Sequence, residues 1–177
     1  MAIRRSGWRL GTVAEVAAEW ELLPRLQQAA HLGSAYIECL ESTVEADGRA
    51  AVLAGKAWPS EQLIVLHAEL LKAGREGDRD ATFLHECAHV LADRRYGRPC
   101  KHGALWRATI VTLGELPLTH HEIPYLSRQA HAKVVWTCTS CGETYPFVRK
   151  PRRRIRDCYC RHCGPRLGIL AEHQPQG

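Results

Sequence analysis

Residues Phe83, Leu84, His85, Glu86, Cys87, Ala88, His89 and Val90 make up an H-E-x-x-H motif framed by apolar side chains. The motif requires a helix. At about 3.6 residues per turn, His85 and His89 point the same way, one turn apart, only on helical backbone. Two imidazoles on one face grip a single divalent ion, and Glu86 beside the first reaches a water on that ion. The pattern names metal-activated hydrolysis, usually of peptide bonds. It also requires the chain to return, because a catalytic zinc takes three protein ligands and leaves one position open.

Several residues are candidates for the third ligand. The astacin-type extension would place glycine at 92 and histidine at 95, where this chain has Ala92 and Arg95. Glu115 and Glu122 are candidates on later segments, and His120 and His121 are further imidazoles nearby. His102 is the stronger choice. It follows a loop containing Gly97 and Pro99 that can turn the chain back, and it opens a helix expected over residues 103–113. Cys87 lies inside the motif but about 100° from each neighbour on the helical wheel, which suits a small core residue.

The frame around the motif is helical and mixed. Val13, Val16, Trp20 and Leu23 predict a helix over residues 12–31, kinked or split at Pro24. Residues 35–54 carry short apolar groups that suit strands, with Asp47-Gly48 as a turn between two of them. Leu63, Ile64, Val65 and Leu66 read as a strand, and residues 68–73 as a short helix ended by Gly74. The motif helix is expected over residues 79–96, capped by Asp78 or Asp80 and stopped by Gly97.

Eight cysteines are present, and four of them form a second metal pattern. Cys138 and Cys141, each knuckle followed by a glycine (Gly142, Gly164), pair with Cys160 and Cys163 at the spacing of a structural zinc site. Four thiolates close the coordination shell, so that ion holds structure and does no chemistry. Cys158 is a spare thiol that could stand in for Cys160. Between the knuckles run Arg149, Lys150, Arg152, Arg153, Arg154 and Arg156, six cations within eight residues. They repel one another unless a polyanion neutralises them. Tyr145, Phe147 and Tyr159 stand close by and could stack on bases. No base-reading motif accompanies them, so DNA contact without sequence preference is expected.

Taken together, H-E-x-x-H at His85 to His89, the loop with Gly97 and Pro99, and His102-Gly103-x-x-Trp106 resemble the SprT-like (Spartan) metalloprotease family. Gly55-Lys56-Ala57 and the apolar run at Leu63 resemble that family's lead-in, and the cysteine ribbon resembles the end of its bacterial members. The resemblance implies an α+β fold: a zincin-like catalytic domain with a small antiparallel sheet and an H-E-x-x-H helix, followed by a β zinc ribbon. It implies one catalytic zinc on His85, His89 and His102, Glu86 as general base, and proteolysis of proteins on DNA, including DNA–protein crosslinks. The expected divisions are 1–130 for the catalytic domain, 131–171 for the ribbon and 172–177 for a frayed tail.

Charge agrees with that division. The net charge is +5, yet residues 128–177 carry 10 Lys/Arg against 3 Asp/Glu, whereas residues 1–127 carry 14 against 16. A near-neutral body with a basic end is a common footprint of a nucleic-acid partner. The first residues lack the apolar core of a secretory leader, and no apolar run reaches the roughly 18 residues of a membrane span. A soluble, cytoplasmic monomer is expected, on the nucleoid if the source is bacterial. Two rivals remain: a non-catalytic, transcription-associated zinc protein that binds nucleic acid, and a zinc hydrolase acting on a small molecule.

Overall fold

Thr12 sets the first helix. Its hydroxyl accepts the Glu15 N–H at 3.2 Å while the Glu15 carboxylate accepts the Thr12 N–H at 2.7 Å, a reciprocal cap. Strand β1 (Trp8–Thr12) ends there and α1 (Val13–Glu19) begins. The helical stretch expected over 12–31, kinked or split at Pro24, is split: Glu21 takes a left-handed φ of 60°, and Pro24 lies in the first turn of α2 (Leu23–Gln27). The computed structural model describes residues 7–48, 52–119 and 122–173. They fall into two units, Met1–Glu122 and Ile123–Gly177, so the division lies at 122/123 and not at 130.

The next stretch departs from the sequence reading. Residues Ser34–Glu41 form helix α3, where strands were expected. Ala35 and Cys39, one turn apart, are buried, whereas Ile37 between them is 52% exposed. Alternation would have buried Ile37 too, so the burial follows a helix period. Strands β2 (Thr43–Asp47), β3 (Gly55–Trp58) and β4 (Leu63–His67) follow. The sheet order is β1-β2-β4-β3. Strands β2 and β3 on either side of Asp47 and Gly48 are therefore not neighbours, and those two residues do not turn a hairpin. The sheet is also not antiparallel throughout: β2 runs parallel to β4. The β-branched run of β4 suits its central place, with Leu63, Ile64, Leu66 and His67 all buried.

Helix α4 (Glu76–Tyr96) packs on β3, β4 and α3 and on the following α5 (Ala104–Thr112). It starts three residues earlier than expected. Neither Asp78 nor Asp80 caps it: Arg75 is the N-cap and makes no side-chain cap bond. Glu76 and Asp78 lie instead in its first turn, where acidic charge complements the helix dipole. Gly97 ends it in a left-handed conformation, φ 62°. Phe83, Leu84, Leu91, Trp106 and Ile110 fill the core beneath. Trp20 meets Phe83 edge to face at 5.3 Å, with the Arg79 guanidinium over the Trp20 ring at 4.2 Å.

In the second unit, β5 (Val134–Cys138) lies between β6 (Thr144–Phe147) and β7 (Leu170–His173), both antiparallel to it. A one-turn helix, α6 (Gly164–Leu167), precedes β7. Glu172 and His173 pair with Trp136 and Val135, so two residues assigned to a frayed tail belong to the sheet. Among the described residues no helix is long and apolar enough to cross a membrane.

Candidate active site

Helix α4 supplies His85, Glu86 and His89, and the loop after Gly97 supplies His102. His85 Nε2 lies 3.0 Å from His102 Nε2, and His89 Nε2 lies 3.2 Å from the same atom. A tetrahedral zinc with Zn–N bonds of about 2.0–2.1 Å would hold such atoms roughly 3.3 Å apart. The three rings therefore stand at nearly the spacing a single ion requires. Trp106, on the first turn of α5, touches all three: its ring centroid is 4.7 Å from His85, 5.3 Å from His89 and 4.6 Å from His102. Burial, helped by the neighbouring His102, draws the His89 pKa down to about 4, which keeps this ring neutral and able to ligate.

Glu86 is only 7% exposed. Burial pushes its pKa up to about 8, against the opposing pull of an Ala57 N–H donated to the carboxylate and of the Lys56 charge. Both opposing groups belong to edge strand β3. That strand comes close because residue 55 is glycine: a Cβ there would sit 2.7 Å from Thr82 Cγ2 and 3.0 Å from Glu86 Cγ and Oε1. The four site residues share a cleft of about 720 Å³ with Val52, Leu53, Lys56, Asp93 and Lys101.

The other third-ligand candidates are elsewhere. Glu115 forms an ion pair with Arg25 at 2.9 Å. Glu122 is exposed and outside the histidine group. His120 and His121 lie outside the described residues. Cys87 is fully buried, with Cys39 Sγ 3.9 Å from its carbonyl oxygen, as a core residue should be.

In the second unit, the Sγ atoms of Cys138, Cys141, Cys160 and Cys163 converge, with 3.8 Å between Cys138 and Cys163 and 3.6 Å between Cys141 and Cys160. Zn–S bonds of about 2.3 Å in a tetrahedron give about 3.8 Å, whereas a disulfide would bring two sulfurs to about 2.05 Å. All eight cysteines are free thiols, and Cys158 stands outside the four. Each knuckle closes on its glycine: the Gly142 N–H donates to the Cys138 carbonyl at 3.0 Å, and the Gly164 N–H to the Cys160 carbonyl at 2.9 Å. A hydrogen bond from the Tyr145 hydroxyl lowers the Cys160 pKa to about 6, and the hydrogen-bonded Cys141 neighbour drives Cys163 up to about 12. Crowded thiols resist losing their protons together unless a cation compensates them.

The Tyr145 hydroxyl donates to Cys160 Sγ at 3.3 Å and accepts the Arg161 N–H at 3.2 Å. Phe147 packs on Trp136 at 4.6 Å. Tyr159, 55% exposed, remains available. Arg149, Lys150, Arg152, Arg153, Arg154 and Arg156 are all exposed on the segment between β6 and Cys158. Arg152 and Arg153 border a cavity of about 500 Å³ with Tyr159 and Arg161.

Sequence reasoning missed Asp93 and the backbone of β3. Asp93 follows His89 by one turn and its carboxylate accepts the Cys100 N–H at 2.7 Å. The signal was there in the i, i+4, i+8 spacing of His85, His89 and Asp93.

A family model described as the SprT-like family matches residues 13–126. Protein SprT of Pectobacterium carotovorum is 30% identical over 132 residues, which cover 72% of this chain and 75% of that protein. Protein SprT of Proteus mirabilis is 27% identical over 158 residues, covering 85% and 90%. Protein SprT of Pseudomonas aeruginosa is 29% identical over 125 residues, covering 67% and 75%. No solved structure matches the chain.

Proposed function

Because the chain belongs to the SprT-like family, we propose that it is a zinc metalloendopeptidase with a zincin-like catalytic unit, acting on proteins attached to or lying on DNA, including DNA–protein crosslinks. The observation that carries this reading is the convergence of His85, His89 and His102 in one cleft with the buried carboxylate of Glu86. A purely structural ion would have no use for that carboxylate. When bound by the three imidazoles, zinc supplies Lewis acidity, drawing the pKa of a bound water from 15.7 toward about 7 and polarising the scissile carbonyl.

The chain's own groups do the rest. Glu86 takes the proton of the attacking water on its carboxylate and hands it to the departing amine nitrogen. Burial raises the Glu86 pKa in the metal-free cleft; a dication held by the three imidazoles would oppose that rise and favour the carboxylate that must accept the proton. The Ala57 N–H fixes the carboxylate in the cleft. The Trp106 ring keeps the three imidazoles from turning away and shields their inner side from water.

The ribbon supplies location. Its four cysteines hold a structural zinc, and the exposed cations from Arg149 to Arg156 bind the DNA backbone without reading sequence. A cleft with little selectivity of its own then acts on whatever protein the same DNA carries, because tethering raises the local concentration of substrate.

Cleavage of casein and of histones, with and without DNA, by the unsubstituted chain and by Glu86→Gln tests this reading. The unsubstituted chain should cleave both. Glu86→Gln should keep its zinc and lose at least about 100-fold in rate, since general acid–base catalysis supplies about 10²–10⁴-fold. Full activity in Glu86→Gln would overturn the mechanism, and zinc without cleavage in the unsubstituted chain would favour a non-catalytic zinc protein that binds nucleic acid.

A further inference from the structure

His102 reaches the site on a loop, and a loop must be fastened if its imidazole is to meet a metal at a fixed distance. The backbone between Gly97 and Gly103 takes two left-handed positions, Gly97 at φ 62° and Lys101 at φ 47°. Lysine rarely adopts that conformation, so its neighbours must hold it. Pro99 offers no N–H to help. Among the bonds that fasten the segment, the Cys100 N–H donates to Asp93 Oδ1 at 2.7 Å, the Gly103 N–H to the Cys100 carbonyl at 3.0 Å, and Arg107 Nε to the His102 carbonyl at 3.2 Å. The last two join the loop to itself and to α5. The first ties it to α4, the helix that carries His85 and His89, and is much the shorter of two ties there, the other running from Cys100 Sγ to the Ala92 carbonyl at 3.7 Å.

Asp93 stands one turn beyond His89 on the cleft-facing side of that helix. A carboxylate accepting a backbone N–H makes a short, charge-assisted hydrogen bond. Groups that orient metal ligands in this way govern affinity nearly as much as the ligands themselves. We propose that Asp93 is a positioning residue of the metal site: by accepting the Cys100 N–H it latches the His102 loop onto the histidine helix and so sets how tightly the three imidazoles hold zinc. The proposal rests on the zinc reading above. It assigns Asp93 no contact with substrate or metal.

The test is a zinc titration of the full chain against a chromophoric chelator, made on the unsubstituted protein, Asp93→Ala and Asp93→Asn. Far-UV circular dichroism of the metal-free forms is recorded alongside. Asparagine keeps an oxygen at the same place, so Asp93→Asn should bind zinc at the histidine site within a few-fold of the unsubstituted chain. Asp93→Ala should lose about 10- to 100-fold at that site, while the four-cysteine site keeps its affinity and the metal-free helix signal is unchanged. Equal affinity in Asp93→Ala would overturn the proposal. So would an equal loss in Asp93→Asn, or a loss matched by unfolding of metal-free Asp93→Ala. Absence of zinc from the histidine site of the unsubstituted chain would instead sink the zinc reading itself, and the latch with it.

Discussion

His85 Nε2 and His102 Nε2 lie 3.0 Å apart, although 17 positions separate them in the chain. The approach is built by a helix stop at Gly97, a loop fastened to Asp93, and the Trp106 ring packed behind both imidazoles. Nitrogens that face one another at this distance repel unless a proton or a cation lies between them. A shared proton can relieve one such contact, whereas one ion among the three rings would relieve all of them, and the consequences of the second arrangement can be measured.

Trp106 is fully buried and touches all three imidazoles. Replacing a core tryptophan by alanine typically costs about 3–5 kcal/mol. Trp106→Ala should lose stability on that scale in urea unfolding of the metal-free protein, and its zinc affinity at the histidine site should fall as the rings gain freedom. Unchanged zinc affinity in a folded Trp106→Ala would show that the ring does not hold the imidazoles.

Gly55 permits the close approach of β3 to Glu86. A methyl group there would push on Thr82 and on the carboxylate at 2.7–3.0 Å, so either the strand or Glu86 must move. Gly55→Ala should keep both zinc ions but lose rate, mainly in kcat. Steady-state kinetics on a peptide substrate checks it; an unchanged kcat would mean that the Ala57 N–H has no part in placing the carboxylate.

Buried Glu86 and half-buried His89 make the metal-free protein sensitive to pH, with opposite signs. The Glu86 pKa is raised from 4.5 to about 8, so between those values the folded state binds the proton more tightly than the unfolded chain. Stability therefore falls as pH rises through that window. The His89 pKa is lowered from 6.5 to about 4, so the unfolded chain binds more protons there and stability is lost as pH falls through that range. Urea midpoints of the metal-free protein from pH 6.5 to 8 isolate the first effect. The unsubstituted chain should weaken across that interval, and Glu86→Gln should weaken less; parallel curves would contradict the burial of an ionisable Glu86.

If the exposed cations between β6 and Cys158 bind DNA as proposed, the affinity should depend on salt. Each phosphate contact adds about 0.9 to the slope of log K against log salt on duplex DNA and about 0.7 on single strands. Replacing Arg152, Arg153 and Arg154 together by serine should flatten that slope by about two to three units and weaken all sequences alike. A slope unchanged by the triple substitution would place the DNA contact elsewhere.

Much of the candidate site was legible in the sequence because its signals are local. H-E-x-x-H fixes two imidazoles by helix geometry alone, and paired knuckles with trailing glycines fix four thiols in the same way. His102 was legible from Gly97 and Pro99, which force the chain to turn. Contributions that depend on tertiary contact were not. The nearness of β3 to Glu86 rests on a glycine whose neighbour is 27 positions away at Thr82. The role of Asp93 needs the path of the loop. Helix α3 was missed because Ala35, Ile37 and Cys39 stand at alternate positions and imitate a strand, although Ile37 is exposed. The sheet was read as antiparallel because the parallel β2–β4 pair joins strands that β3 separates in sequence. The hydrogen bond from the Tyr145 hydroxyl to the Cys160 sulfur was likewise hidden, because sequence shows their separation but not their contact.

Zinc content per chain tests the central claim most directly. Measured by atomic emission on freshly purified protein, the unsubstituted chain should carry two zinc ions, with one remaining in His102→Ala and a different one remaining in Cys160→Ser. A single zinc per chain, untouched by His102→Ala, would contradict the three-histidine site and the hydrolytic chemistry argued from it.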